Sequence, residues 1–191
     1  MIDNQIDRER IDRLAGQIVG LQESGIEVVL VSIGAVGAGM GRLGVGNYPR
    51  LIPDRQAVAA VGQVQLMKMW EHAFANHGRR VGQVLVTAAD LQSRYRYVNL
   101  QNTFESLLRM RVVPVVNEND TVVTDEIRFG DNDTLAVLVA NLIEADRLVI
   151  LTDQDGLFDA DPRSNPDAKL IREARAISGS DARVAGGGGL L

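Results

Sequence analysis

Three polar blocks carry the residues of this chain best suited to chemistry. Asn117-Glu118-Asn119-Asp120 interrupts the apolar run Val112–Val116, and Gly130-Asp131-Asn132-Asp133-Thr134 precedes the almost wholly apolar stretch Leu135–Ile143. Thr152-Asp153-Gln154-Asp155-Gly156 follows the β-like run Arg147–Leu151. Asparagine amides both donate and accept hydrogen bonds, and ionised aspartates only accept. A helix opening after the second block would add free N–H donors and partial positive charge. Such a mixture suits a zwitterion, with amides for a carboxylate and aspartate for an ammonium group. Carboxylates beside an anion-binding helix end must themselves face cations, whether an ammonium, Mg²⁺ or lysines. Capping of the helix uses one of Asp131, Asn132 and Asp133 and leaves the others to be explained.

Several competing chemistries fail on spacing. Gly39-Met40-Gly41-Arg42-Leu43-Gly44 matches the dinucleotide pattern G-x-G-x-x-G by letter. That motif needs a strand ending at its first glycine and a helix opening at its last. Here the preceding strand-like run ends near Ser32, and Val45-Gly46-Asn47-Tyr48-Pro49 cannot continue as a helix. No G-x-x-x-x-G-K-[ST] phosphate loop occurs. Gly34, directly after the strand-like run, marks either a place where a ligand reaches backbone N–H groups or a tight turn with close packing. The acidic loop after Thr152 lacks the twelfth-position ligand of a helix-flanked calcium loop. His72 and His77 lie five apart, off a common helix face, and the absence of cysteine removes disulfides and thiolate chemistry.

The elements that must position these blocks follow from hydrophobic period. Ile11, Leu14, Ile18 and Leu21 predict an amphipathic helix from about Asp7, stopped by Gly25. Ile26–Ser32 reads as a buried parallel strand. After Pro53, Asp54 can cap a long helix with Val58, Val61, Val64, Met67, Trp70 and Phe74 as its apolar stripe, ended by His77-Gly78. Val81–Thr87 predicts a strand, and Val98–Met110 a helix with Leu100, Phe104, Leu107 and Leu108 inward. Val112–Val116 predicts a strand despite Pro114, and Thr121–Phe129 a small β-hairpin. This alternation predicts an α/β fold, a mostly parallel open sheet with helices on both faces, and puts the polar blocks at strand carboxyl ends. The tail Ser178–Leu191, with four consecutive glycines from Gly186 to Gly189, has no core-forming pattern.

Bulk properties fit one globular domain: 191 residues, 46% hydrophobic. The net charge of −5 and the lack of a Lys/Arg cluster argue against a nucleic-acid-binding face. There is no apolar run long enough for a membrane span, and the charged N-terminus lacks a signal peptide's apolar core. A cytoplasmic location is expected.

The three blocks together resemble the amino acid kinase family, and most closely its glutamate 5-kinase branch. The resemblance rests on Asn117-Glu118-Asn119-Asp120, on Phe129-Gly130-Asp131-Asn132-Asp133-Thr134-Leu135, and on Leu151-Thr152-Asp153-Gln154-Asp155-Gly156-Leu157-Phe158 with Asp161-Pro162-Arg163. Ala60-Val61-Gly62-Gln63, Glu71 and Val81-Gly82-Gln83-Val84-Leu85 fit the same branch, and residues of about 7–178 are covered. The Asn-Glu-Asn-Asp and Gly-Asp-Asn-Asp pair argues against the acetylglutamate and uridylate kinase branches.

The resemblance implies a three-layer αβα sandwich. It also implies transfer of the ATP γ-phosphoryl group, with Mg²⁺, to the side-chain carboxylate of L-glutamate, which opens proline biosynthesis. Asp120 and Asn132 fall on glutamate-binding positions, Asn117 lies in the same motif, and Gly34 belongs to the substrate turn. Thr152 and Asp153 fall on nucleotide-binding positions, and Asp133 matches the aspartate that orients catalytic lysines. Proline as feedback inhibitor and homo-oligomerisation are further family expectations.

Three departures follow. Ile33 stands where the branch carries a hydroxyl. The family's opening lysine-bearing central strand and its Gly-Gly-Met-x-Thr-Lys segment fall outside residues 1–191, and no C-terminal PUA domain is expected. The expectation is therefore an incomplete kinase domain with little turnover, the alternative being an inactive glutamate- or proline-binding module or a non-functional fragment.

Overall fold

The computed structural model describes residues 7–123, 132–152, 155–156, 158–160, 162, 164–165 and 167–173. They fall into two compact units that meet at Arg147 and Leu148.

The first unit is built on three parallel strands. Helix α1 (Arg8–Glu23) opens on Asp7, whose carboxylate accepts from the Arg10 N–H at 3.1 Å. It closes on Gly25 at φ 86°, and the Ile26 N–H returns to the Leu21 carbonyl at 3.1 Å. Strand β1 (Leu30–Val31) leads into α2 (Ala35–Leu43), and α3 (Ile52–Ala75) leads into β2 (Arg80–Val86). A short α4 (Ala88–Gln92), α5 (Arg94–Arg109), β3 (Val112–Glu118) and α6 (Asn132–Leu142) complete it. The strand order is β1-β3-β2, with Leu30 opposite Val115 and Arg80 through Val86 opposite Val112 through Glu118.

Strand β3 lies between the other two, and its side chains alternate between two cores. Val113 and Val115 pack with Ile11, Ala15 and Val19 of α1 and with Leu66, Trp70 and Phe74 of α3. Val116 packs on the other side with Val84, Val86, Phe104 of α5, and Leu135, Val139 and Leu142 of α6. Helices thus cover both faces of a parallel sheet, which is the αβα arrangement expected from the alternating pattern. Pro114 is fully buried in β3, and the ladder to β1 begins just after it, at Val115.

Several boundaries differ from the sequence reading, each for a physical reason. Of the strand expected over Ile26–Ser32, only Leu30–Val31 enters the ladder, extended by a Ser32 N–H to Val116 carbonyl bond of 2.9 Å. The glycine-rich stretch after Gly34 is helical despite its low propensity, because glycine is what α2 needs to press on α3. A Cβ on Gly39 would overlap the Val58 carbonyl, and one on Gly62 would overlap the Ala35 carbonyl and the Gly39 nitrogen. Helix α3 starts at Ile52 with Leu51 in the cap position, so Asp54 lies inside the first turn and does not cap. Its buried stripe is Val58, Ala59, Gly62, Leu66, Trp70, Ala73 and Phe74, while Val64 is exposed. Helix α5 begins four residues before the expected Val98, at Arg94. Thr87 ends no strand; it caps α4 through a reciprocal pair with Asp90.

The described part of the second unit holds one antiparallel bridge, between Phe158 and Leu170. The Asp159 N–H donates to the Lys169 carbonyl at 3.0 Å, and the Asp159 carboxylate accepts from the Lys169 N–H at 2.7 Å. Arg147–Leu151, expected as a strand, enters no ladder among the described residues, and Leu148 through Leu151 are exposed. β-branched content sets only a preference, and a strand forms only where a neighbour supplies backbone donors and acceptors. The expected hairpin runs into residues 124–131, and the tail lies beyond residue 173; both fall outside the described residues.

Candidate functional site

At the carboxyl edge of the sheet, β1 ends in Ser32-Ile33-Gly34 and β3 in Asn117-Glu118-Asn119-Asp120. Open parallel sheets take ligands at this edge. Gly34 adopts φ 109° at the start of α2, a conformation strained for any residue with a Cβ. Its carbonyl accepts the first helical bond, from the Ala38 N–H at 2.9 Å. The tight-turn reading of the glycine stretch therefore holds: a left-handed turn at Gly34, then close packing from Ala35 onward. Ile33, between the two, is 67% exposed and offers no hydrogen-bonding group.

Asn117 is placed by strand alternation. It continues the row Val113, Val115 on the side of β3 that faces α1 and α3, and it is buried. Its Oδ1 accepts from the Glu118 N–H at 2.9 Å, and its Nδ2 donates to Gln63 Oε1 at 2.8 Å. Asn132, the first residue of α6, donates through Nδ2 to the Ser32 carbonyl at 3.0 Å. Ser32 Oγ in turn accepts from the indole Nε1 of Trp70 at 2.9 Å, both residues being buried. A bond spanning one hundred residues of sequence thus ties the start of α6 to the end of β1, next to Gly34.

Asp120 lies one turn of chain beyond β3. It shares a cavity of about 20 Å³, room for roughly one water, with Val36, Tyr48, Ile52, Arg55, Gln56 and Val123. Gln56 Nε2 donates to the Val123 carbonyl at 3.1 Å, holding the chain after Asp120 against the first turns of α3. A larger hollow of about 260 Å³ lies at the opposite, amino end of the strands and includes Glu27, Phe104, Leu108 and Arg109. It gathers none of the residues singled out for chemistry. Asp133 is exposed in the first turn of α6. Thr152 is exposed in the second unit, and Asp153 falls outside the described residues. Among the described residues, no group of three His, Asp or Glu side chains gathers as a metal site.

The structure therefore brings Gly34, Asn117, Asp120 and Asn132 to one edge of the first unit. Three partnerships escaped the sequence reading: that of Ser32, read only as a strand end, that of Gln63, read only as part of a family segment, and that of Trp70, read only as core. A buried indole N–H usually finds an acceptor, which was a signal, but nothing in linear sequence names that acceptor. Gln56, Gln63 and Trp70 stand seven residues apart on α3, and each bonds to the end of a strand or the loop after it. That polar stripe at helical repeat was legible in principle.

A model of the amino acid kinase family matches residues 4–190. The chain belongs to the amino acid kinase family. Among curated relatives, it is 59% identical over 184 residues to glutamate 5-kinase of Pseudomonas fluorescens (strain Pf0-1), covering 96% of this chain and 50% of that protein. It is 64% identical over 175 residues to glutamate 5-kinase of Alcanivorax borkumensis, covering 92% and 46%. The chain spans about half the length of these relatives.

Solved structures agree on the fold. The T. acidophilum isopentenyl phosphate kinase product complex superposes with TM-score 0.55 at 23% identity, over 90% of this chain and 72% of that one. Carbamate kinase from Giardia lamblia bound to AMP-PNP gives TM-score 0.57 at 18% identity, over 97% and 82%. This amino acid kinase family member thus has the architecture that its strand and helix pattern implied. No helix among its described residues is long and apolar enough to cross a membrane.

Proposed function

We propose that this chain carries the amino-acid-binding part of a glutamate 5-kinase, whose reaction moves the ATP γ-phosphoryl group to the side-chain carboxylate of L-glutamate. The observation that carries this reading is the clustering of Asn117, Asn132, Asp120 and Gly34 at one sheet edge. It is supported by 58–64% identity to curated relatives bearing that name. Each asparagine Nδ2 has one hydrogen engaged within the protein and a second for a ligand oxygen. These neutral donors and the backbone at Gly34 orient the carboxylates of glutamate, and Asp120 faces its ammonium group.

In the reaction, a side-chain carboxylate oxygen bonds to the γ-phosphorus as the bond from that phosphorus to the ADP oxygen breaks. The products are γ-glutamyl phosphate and ADP. Phosphoryl transfer of this kind depends on positioning and charge neutralisation. Mg²⁺ would supply part of that neutralisation, held mainly by ATP oxygens with acidic residues near Thr152-Asp153 in support. Thr152 and Asp153 are assigned to the nucleotide, and Asp133 to orienting the cationic groups that meet the phosphates. Proline shares an α-carboxylate and a cationic amine with glutamate and is the expected competing ligand.

Calorimetry with L-glutamate and with L-proline, run beside a coupled ADP-release assay on the 191-residue chain, tests the reading. Glutamate binding that Asn132→Ala weakens at least tenfold is the expected result. Binding of neither amino acid would sink it. Binding without ADP release would mark an amino-acid-binding module.

A further inference from the structure

One polar atom of the strand-end cluster remains without a partner, and the local hydrogen-bond network shows which atom it is. Asn117 Oδ1 is committed to the Glu118 N–H, so its Nδ2 is the group turned to Gln63. An Nδ2 donor requires an acceptor, so Gln63 presents Oε1 to it. The amide of Gln63 cannot be reversed without setting two NH₂ groups against each other. Gln63 Nε2 is consequently a buried donor that meets no acceptor among the described residues. Burying a donor in this way costs folding free energy, and packed proteins rarely leave one so. Such an atom is explained where a bound molecule supplies the missing acceptor. Its setting beside Asn117, at the carboxyl end of the central strand, is where a ligand is expected.

We infer that Gln63 determines specificity at this site: its Oε1 fixes the Asn117 amide, and its Nε2 donates to a carboxylate oxygen of the amino-acid ligand. The inference rests on the glutamate-binding reading above. A neutral donor fits a site that must take an anion without drawing in phosphate at the same place. The placement of Gln63 follows from α3 itself. Gly62, the residue before it, is pressed on the Ala35 carbonyl, so the backbone beneath Gln63 is held and its amide is aimed in advance.

Calorimetric titration with L-glutamate of the 191-residue chain, of Gln63→Glu and of Gln63→Met tests this, each with a thermal midpoint measured by circular dichroism. Gln63→Glu keeps an acceptor for Asn117 Nδ2 and loses the donor. Gln63→Met loses both and adds no charge. Both variants are expected to bind glutamate at least about tenfold more weakly, the scale of one hydrogen bond to a charged group. Gln63→Glu keeps the bond to Asn117 but buries a carboxylate oxygen without a donor, so its thermal midpoint should fall; both variants are expected to stay folded at the titration temperature. Either variant binding within twofold of wild type overturns the role of Gln63 and leaves the glutamate reading intact. A loss of affinity in Gln63→Glu matched by loss of its folded signal also overturns it, assigning Gln63 to stability alone. A wild-type chain that binds no glutamate removes both readings together.

Discussion

Replacing Trp70 by phenylalanine keeps an aromatic ring in the first core and deletes the N–H that holds Ser32. The indole is 5% exposed and lies against Phe74 with ring centroids 5.9 Å apart. The lost hydrogen bond contributes about 1 kcal/mol net. The ring atoms removed add about 1–2 kcal/mol of packing and cavity cost. A destabilisation of about 2–3 kcal/mol is therefore expected for Trp70→Phe. Ser32→Ala acts from the other side and strands the Nε1 donor in the core, at about 1–3 kcal/mol. The double variant has no donor left to strand, so it should cost less than the sum of the single variants by about 1 kcal/mol. Urea unfolding followed by far-UV circular dichroism is the suitable assay, because Trp70 is the chain's single tryptophan and its fluorescence vanishes with the substitution. Additivity within about 0.3 kcal/mol would refute the claim that this bond couples α3 to the end of β1.

Gly62→Ala places a methyl group on the Ala35 carbonyl and the Gly39 nitrogen, backbone atoms that cannot step aside. It should cost about 3 kcal/mol or more, and a thermal midpoint within a degree or two of wild type would contradict the close approach of α2 and α3. Asp90 gives a pH test. Burial acts to raise its pKa, but hydrogen bonds from the Thr87 side chain and N–H, together with the Arg96 guanidinium at 2.8 Å, outweigh it and leave the value lowered. With the folded value below the ordinary 3.8, its contribution is present above that pH and is lost as pH falls through the lowered value. Asp90→Asn should therefore melt earlier than wild type at pH 7, with the gap closing below about pH 4; a gap independent of pH would exclude the ionised carboxylate as its source.

How much of this was legible in sequence varies with the physics behind each element. Helix α1 could be read from its apolar period and its Asp7 and Gly25 ends, because local signals there agree with burial. Strand β3 could be read from its valines, and Pro114 did not prevent a central position. Helix α2 was hidden, since glycines disfavour a helix locally and the compensating contact lies on α3, some twenty residues away in sequence. The cap of α4 was present as Thr87 with Asp90 three residues on, a signature that a five-residue helix makes easy to pass over. At the site, residue type together with the family resemblance singled out Asn117, Asp120, Asn132 and Gly34, which the structure places along one edge of the first unit. Their supporting atoms were not visible, because Gln63 and Ser32 differ from other glutamines and serines only in what they touch.

Helix α3 meets the first unit's strand ends at three levels through Gln56, Gln63 and Trp70, and meets α2 through Gly62. The helix works as a jig: the Asp120 loop, the Asn117 amide and the Ser32–Asn132 link all take their position from one rigid rod. Small displacements of that rod move these polar groups in concert and keep their mutual spacing. Substitutions along α3 that touch no ligand should then alter how the whole site is presented, and its individual distances far less.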